Sequence, residues 1–292
     1  MIINNNVRAM VTQHALYSNN SAMSKSLEKL STGLRINRAQ DDAAGLAMSE
    51  QMRGQIRGLG KAKQNAQDGI AALQIAEGGL SEISNILQRQ RELAVQGAND
   101  TLTSTERKYI ADEINQLGKE INRIRDTTDY NTINMLASFG FGTGDGVINT
   151  AQIGTLHIGP NSVRGDERQT GVGNAIKVSY NVHISGFSIN TTNMANVNQA
   201  TFNNAIASLE SQIKSISGVR AGIGVYINRL EFTINNIANL EFNTQDAESR
   251  IRDTNFALET TKFTRNQIMV QSATSMLAQA NMLPQSVLGL LS

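Results

Sequence analysis

The sequence has no cysteine and no tryptophan, only two prolines, and aromatic residues at just 4% of its 292 positions. Without cysteine there are no disulfides, no thiol nucleophile and no zinc–thiolate centre. With so few rings, the 40% hydrophobic content is mainly Leu, Ile, Val, Ala and Met. Such side chains suit long helix–helix seams better than an aromatic-lined pocket. Proline is the strongest helix breaker, and only Pro160 and Pro284 are present, so very long helices are allowed on either side of the middle. Neither sign of charge dominates: 26 Lys and Arg stand against 25 Asp and Glu, for a formal net charge of +1. Interspersed charge offers no basic face for nucleic acid, and a near-zero balance favours self-association. No apolar run approaches membrane-spanning length, so membrane insertion is not expected. The opening residues lack the basic and apolar stretches of a secretory signal. The chain therefore reads as soluble and cytosolic, unless it is exported by a route that needs no cleaved signal.

What is present is helical periodicity. Leu16, Asn20, Met23, Leu27, Leu30 and Leu34 form a heptad-like seam, interrupted at Gly33 and over the polar stretch 38–42. A much longer seam follows through Met52, Ile56, Leu59, Ala66, Ile70, Leu73, Leu80, Ile83, Leu87 and Ala94. As one helix over 44–96 it would be roughly 80 Å long. Gly97-Ala98-Asn99-Asp100 reads as a turn, and Thr103 with Glu106 has capping-box spacing. A third seam at Ile110, Ile114, Leu117, Ile121 and Ile124 should fold back antiparallel, because the connection is short.

From about 137 the character changes. Glycines punctuate 140–146, then come Leu156-His157-Ile158 and a strict alternation at Ile176, Val178, Tyr180, Val182 and Ile184. Period two predicts a half-buried strand, hence a small hairpin. Helical spacing returns at Ile206, Leu209, Ile213, Ile216, Ile223, Ile227, Leu230, Ile234 and Ile237, with Arg220 interrupting. It continues more loosely through Ala247, Ile251, Leu258, Ile268, Met276 and Leu283.

The one-sided seams at the two chain ends have nothing local to bury against and should pair with each other. The expected fold is mainly α: a long antiparallel helical rod or coiled-coil bundle built from both chain ends, with a small β-hairpin insert. Both termini would lie at one tip and the insert toward the other. The expected domains are a terminal coiled coil (1–43 with 255–292), a helical rod (44–136 with 201–254) and the insert (137–200).

Candidate chemistry is thin. His14, His157 and His183 have no second ligand at metal spacing, and no His-Glu-x-x-His occurs. Asp41-Asp42 at a helix break caps the following helix more naturally than it forms an acid pair. Gly142-x-Gly144-x-Gly146 lacks the strand–turn–helix setting of a dinucleotide loop. Gly78-Gly79 marks a weak point or close contact, and Arg53, Arg57, Lys61 and Lys63 read as a solvated helix face. No nucleophile, base and orienting group can be assembled, so no catalysis and no cofactor are expected. The seams remain. At the chain ends, sequences such as Val287-Leu288-Gly289-Leu290-Leu291 would leave apolar surface exposed, which usually means a partner.

Several long motifs resemble bacterial flagellin, the filament subunit of the flagellum. Near the N-terminus they are Leu30-Ser31-Thr32-Gly33-Leu34-Arg35-Ile36-Asn37, Asp41-Asp42-Ala43-Ala44-Gly45-Leu46-Ala47 and Gln88-Arg89-Gln90-Arg91-Glu92-Leu93-Ala94-Val95-Gln96. Toward the C-terminus they are Ala247-Glu248-Ser249-Arg250-Ile251-Arg252-Asp253, Met276-Leu277-Ala278-Gln279-Ala280-Asn281 and Pro284-Gln285-Ser286-Val287-Leu288.

The resemblance implies a short member with core domains only, a self-polymerising structural subunit exported unfolded through the flagellar type III apparatus. It implies terminal helices that form the filament core, with Leu27, Leu30, Leu34, Leu283, Val287, Leu288 and Leu291 as candidate assembly contacts. It also implies an export chaperone and cap or junction proteins as partners. Arg89, Leu93 and Glu113 match the region through which a Toll-like receptor of innate immunity detects the family, with Gln90 where an aliphatic residue is usual. The location would be the flagellar filament, extracellular or, in a spirochaete, periplasmic. The competing readings are a hook–filament junction protein and a non-flagellar coiled-coil adaptor.

Overall fold

The computed structural model describes residues 6–136, 150–160, 175–181, 188–189 and 198–291, with the backbone alone over 150–155, 175, 177, 179–181 and 283–291. The elements are α1 (Val7–Thr32), α2 (Ala43–Gly97), α3 (Ser104–Thr127), β1 (Asp129–Tyr130), β2 (Ile133–Asn134), β3 (Thr150–His157), β4 (Ala175–Asn181), α4 (Gln199–Arg252) and α5 (Phe256–Leu291). The mainly α fold expected from the periodicity is the one observed. The chain divides into two compact units: Met1–Gly54 with Phe242–Ser292, and Gln55–Glu241. The helices α2 and α4 contribute to both units.

The unit Gln55–Glu241 has a true apolar core. Along α2, Leu59, Ala66, Leu73, Leu80, Ile83, Leu87 and Ala94 are buried. Along α4, Leu209, Ile216, Ile223, Leu230 and Ile237 are buried at intervals of seven, while Ile206, Ile213, Ile227 and Ile234 pack half-buried beside them. Such a seven-residue row keeps one stripe of a long helix facing its neighbours.

The helix α3 runs back antiparallel to α2. Gln90 Nε2 donates to the Ile114 carbonyl at 2.9 Å and Arg107 Nε to the Gly97 carbonyl at 3.2 Å, so partner numbers rise in one helix as they fall in the other. Its start is the anticipated capping box. Thr103 Oγ1 accepts from the Glu106 amide, and the Glu106 carboxylate accepts from the Thr103 amide at 2.7 Å. Gly97 ends α2 where the ring of the fully buried Phe202 presses on the backbone. A Cβ there would lie 2.4 Å from the ring, so only glycine fits without displacement.

The chain leaves α3 through a hairpin that the periodicity does not reveal. In it β1 pairs antiparallel with β2 across Asn131 and Thr132, both at positive φ (48° and 65°). Strands of two residues are too short to show alternation. Asn134 Nδ2 closes the end of α3 by donating to the carbonyls of Arg125 and Asp126 at 3.0 and 2.9 Å.

The anticipated pair β3–β4 is antiparallel from Thr150↔Asn181 to His157↔Ala175, with a slip between Gln152 and Gly154. Ile176 and Val178 are buried, as alternation required. The pair docks beside α2, where Asn65 Nδ2 donates to the His157 carbonyl at 2.9 Å and a Cβ on Gly69 would lie 2.5 Å from Leu156. It therefore sits against the early part of α2 in this unit, and not at the Gly97–Asp100 end where a tip insert was expected. The 24-residue α3 is too short to cover that part of α2, and the strands fill the place it leaves. Val182, Ile184 and the glycine run 140–146 lie outside the described residues.

Candidate functional site

The unit built from the two chain ends is organised differently. Gly33 stops α1 in a left-handed conformation (φ 74°), its amide bonded to the Lys29 carbonyl at 2.9 Å. The turn is locked to the end of α4 and to the link that leads into α5. The Arg35 amide donates to the Arg252 carbonyl at 2.6 Å, the Thr254 amide to the Gly33 carbonyl at 2.9 Å, and Leu34 bridges Asp253. Farther along, Ser26 Oγ donates to Glu259 Oε1 at 2.7 Å, and Asn6 Nδ2 to the Ala280 carbonyl at 2.8 Å. The helices α1 and α5 are therefore antiparallel partners, as the one-sided seams required.

The observed seam has its own phase. On α1 it is Ala9, Thr12, Leu16, Asn19, Met23, Ser26 and Leu30; on α5 it is Glu259, Phe263, Asn266, Val270, Ala273, Leu277 and Ala280. All of these are half-buried except Ser26 and Glu259, which are fully buried and bonded to each other. The deepest contact of the pair is thus a hydroxyl on a carboxylate. Burial pushes the Glu259 carboxyl up. The Ser26 hydroxyl, the Lys262 ammonium 3.1 Å away and the charge of Lys29 together outweigh it and hold the group below its ordinary value.

Further apolar side chains of both helices stay exposed outside this seam. On α1 these are Val7, Met10, Val11, Tyr17 and Leu27; on α5 they are Phe256, Leu258, Ile268, Met269, Met276 and Met282. Leu258, Ile268 and Met276, expected to belong to the pairing seam, are in fact exposed, Met276 at the seam's edge beside Val7 and Val11 of α1. Both faces of α5 are apolar, so spacing alone selects neither.

Two shallow grooves mark the outward surface. One runs along the edge of the α1–α5 seam, lined by Val7, Arg8, Val11 and Thr12 of α1 and by Met276, Gln279 and Ala280 of α5; the other lies on α5 alone, lined by Ile268 and Met269 with Thr260, Thr261, Thr264 and Arg265. Of the candidate assembly contacts, Leu27 is exposed and Leu30 and Leu34 are half-buried. Leu283, Val287, Leu288 and Leu291 fall in the last turns of α5, where their side chains lie outside the described residues.

Two helices can bury only one stripe of each. Apolar surface this continuous marks an interaction site. The residues that sequence reasoning missed here are Val7, Val11, Tyr17 and Met269. The available signal was apolar residues falling off the main seam.

The second candidate lies in the other unit. Arg89 Nη2 meets Glu113 Oε1 at 3.2 Å across the α2–α3 pair, and Arg89 Nη1 meets Glu92 Oε2 at 3.3 Å, all three half-exposed. Hydrogen bonding from Glu113, then Glu92, holds the Arg89 guanidinium above its ordinary value. Leu93 does not share this surface. It is 3% exposed and belongs to the core beneath. Gln90 is fully buried, its amide nitrogen on Ile114 and its Oε1 without a partner among the described residues.

The remaining polar motifs do structural work. Asp42 caps α2 through the Gly45 amide at 2.9 Å, while Asp41 accepts from the amides of Asn37 and Arg38. Arg53 pairs with Glu50 and Glu248. Among the described residues no group of three His, Asp or Glu could hold a metal ion, and no helix is long and apolar enough to cross a membrane.

Residues 3–140 match the family model for the bacterial flagellin N-terminal helical region, and residues 206–291 the one for the bacterial flagellin C-terminal helical region. Over the full length of both chains, the protein is 45% identical to the flagellar filament 33 kDa core protein of Treponema phagedenis. Likewise it is 44% identical to a flagellin of Halalkalibacterium halodurans and 41% to a flagellin of Bacillus subtilis. Paired terminal helices, motifs in order at both ends and full-length relatives agree: the chain belongs to the bacterial flagellin family.

Proposed function

We infer that the chain is a structural subunit that polymerises into a flagellar filament for motility, with no catalytic role, through the outward stripes of α1 and α5. The observation that carries this is the unit formed by the chain ends. Its helix pair buries a serine and a glutamate while leaving Val7, Val11, Tyr17, Leu258, Ile268 and Met276 exposed. Further copies of the same chain supply the missing apolar partner, at about 25 cal/mol for each Å² removed from water. Leu27, Leu34, Leu283, Val287, Leu288 and Leu291 belong to the same contact, with Leu30, half-buried in the α1–α5 seam, supporting it from within. The domain division expected from the sequence serves the same reading: a terminal pair for assembly, and a rod with its small β insert.

Export as an unfolded chain through the flagellar type III apparatus is supported by the cysteine-free sequence, which cannot form a disulfide that would obstruct threading. An export chaperone and cap or junction proteins follow as partners, and the filament's surroundings are extracellular or periplasmic.

Electron microscopy and sedimentation test the assembly claim. Full-length protein, seeded, should form long pelletable tubes. A chain ending at Asn281 should keep its helical circular dichroism and stay in the supernatant. Normal filaments from the shortened chain would show that residues beyond it are not assembly contacts.

We also propose Arg89 and Glu113 as a receptor-facing surface. The supporting observation is that both charges lie half-exposed, bound to each other across two helices. Leu93 acts from beneath, by holding α2 against its neighbours.

A further inference from the structure

Methionine is unevenly placed. Among the described residues, the five strongly exposed methionines, Met10, Met48, Met269, Met276 and Met282, all lie in the unit built from the chain ends. The one described methionine of the other unit, Met135, is 2% exposed. Met269 and Met276 are seven residues apart, hence on one stripe of α5. Met269 lines the groove on α5 and Met276 the groove along the edge of the α1–α5 seam, with 48% and 58% of their surfaces open.

We propose that Met269 and Met276 are oxidation sites whose conversion to sulfoxide blocks polymerisation. The proposal rests on the filament reading above, which places this stripe between copies. A peroxide such as hydrogen peroxide is the oxidant. The thioether sulfur attacks one peroxide oxygen, the O–O bond breaks and an S–O bond forms. Sulfur loses two electrons to the peroxide, whose other oxygen leaves as water once protonated.

The product is a polar, chiral side chain where the unmodified one was a flexible apolar gap-filler. Burying its oxygen between copies requires a donor. Around Met269 the threonine hydroxyls are already committed: Thr260 donates to the Phe256 carbonyl, Thr261 to Ala257 and Thr264 to Thr260, so the oxygen would have to draw Arg265 into the contact, as it would Arg8 or Gln279 beside Met276. The free chain leaves both side chains about half open and the polymer covers them, so the sites are open before assembly and closed after it.

The test compares seeded polymerisation, read by sedimentation, of full-length protein before and after hydrogen peroxide, with sulfoxide at each methionine quantified by peptide mass spectrometry. Oxidised protein should need a critical concentration roughly tenfold higher or more, the expected effect of burying unpaired polar groups. Met269→Leu/Met276→Leu is close to volume-conserving and should polymerise nearly as before peroxide treatment. Epimer-specific methionine sulfoxide reductases should restore assembly of the oxidised wild type, an arm that stands even if the double variant fails to assemble. Normal polymerisation of protein fully oxidised at both positions would overturn the proposal, as would equal loss in the peroxide-treated double variant. Untreated wild-type protein that forms no polymer would instead remove the filament reading on which the proposal rests.

Discussion

Thr132 is a β-branched residue held at φ 65°, at the second position of a two-residue hairpin turn. Asparagine tolerates the left-handed region, as Asn131 does, but threonine is strained there. Thr132→Gly should therefore stabilise the folded protein by about 1 kcal/mol, read as a higher urea midpoint with unchanged slope. Leu93 and Arg89 separate in a different way. Leu93→Ala empties a core position and should cost about 3 kcal/mol in urea unfolding. Arg89→Ala removes a surface ion pair and should leave the melt almost unchanged. If receptor activation in reporter cells is lost on Arg89→Ala while its circular dichroism stays native, the surface reading holds; unchanged signalling would refute it. Their four-residue spacing hid this difference, because only the packed partners of α2 reveal which neighbour turns inward.

At the scale of elements, most of the architecture was legible. The seam read as a helix over 44–96 is a 55-residue helix, Ala43–Gly97. The capping box at Thr103 and Glu106 formed as spaced, and the heptads of α4 are its buried row. The phase of α5 was not legible. Phe263, Val270 and Leu277 pack against α1 while Ile268, Met269 and Met276 stay exposed, and a helix with apolar residues on more than one face gives periodicity no basis for choosing. The polar contact at Ser26 and Glu259 also escaped pattern reading, since neither residue type announces burial. It makes the pairing of α1 and α5 sensitive to acid. The Glu259 carboxyl is held below its ordinary value, so its contribution is fully present above about pH 4.3 and fades as pH falls through the lower folded value. Helicity of the unassembled protein should fall across that acidic window, and Glu259→Gln should flatten the dependence. An equally steep acid transition in the variant would place the sensitive group elsewhere.

At the scale of the whole molecule, the two units divide the work of a subunit. Gln55–Glu241 packs a large apolar core within one chain and still leaves Val95, Tyr109, Val225 and Phe232 exposed, whereas the paired helices of the chain ends bury only one stripe and leave most of their large apolar residues open. The family was legible because its motifs fall on the structural joints. Gly33 and Leu34 lock onto Asp253 and Thr254, and Asp42 caps α2. Hydrogen exchange of monomer against polymer tests this division most directly. Amides of residues 6–32 and 256–291 should slow by orders of magnitude on polymerisation, while those of the core helices around Leu80, Ile114 and Leu230 change little. Terminal amides as protected in the monomer as in the polymer would contradict the account.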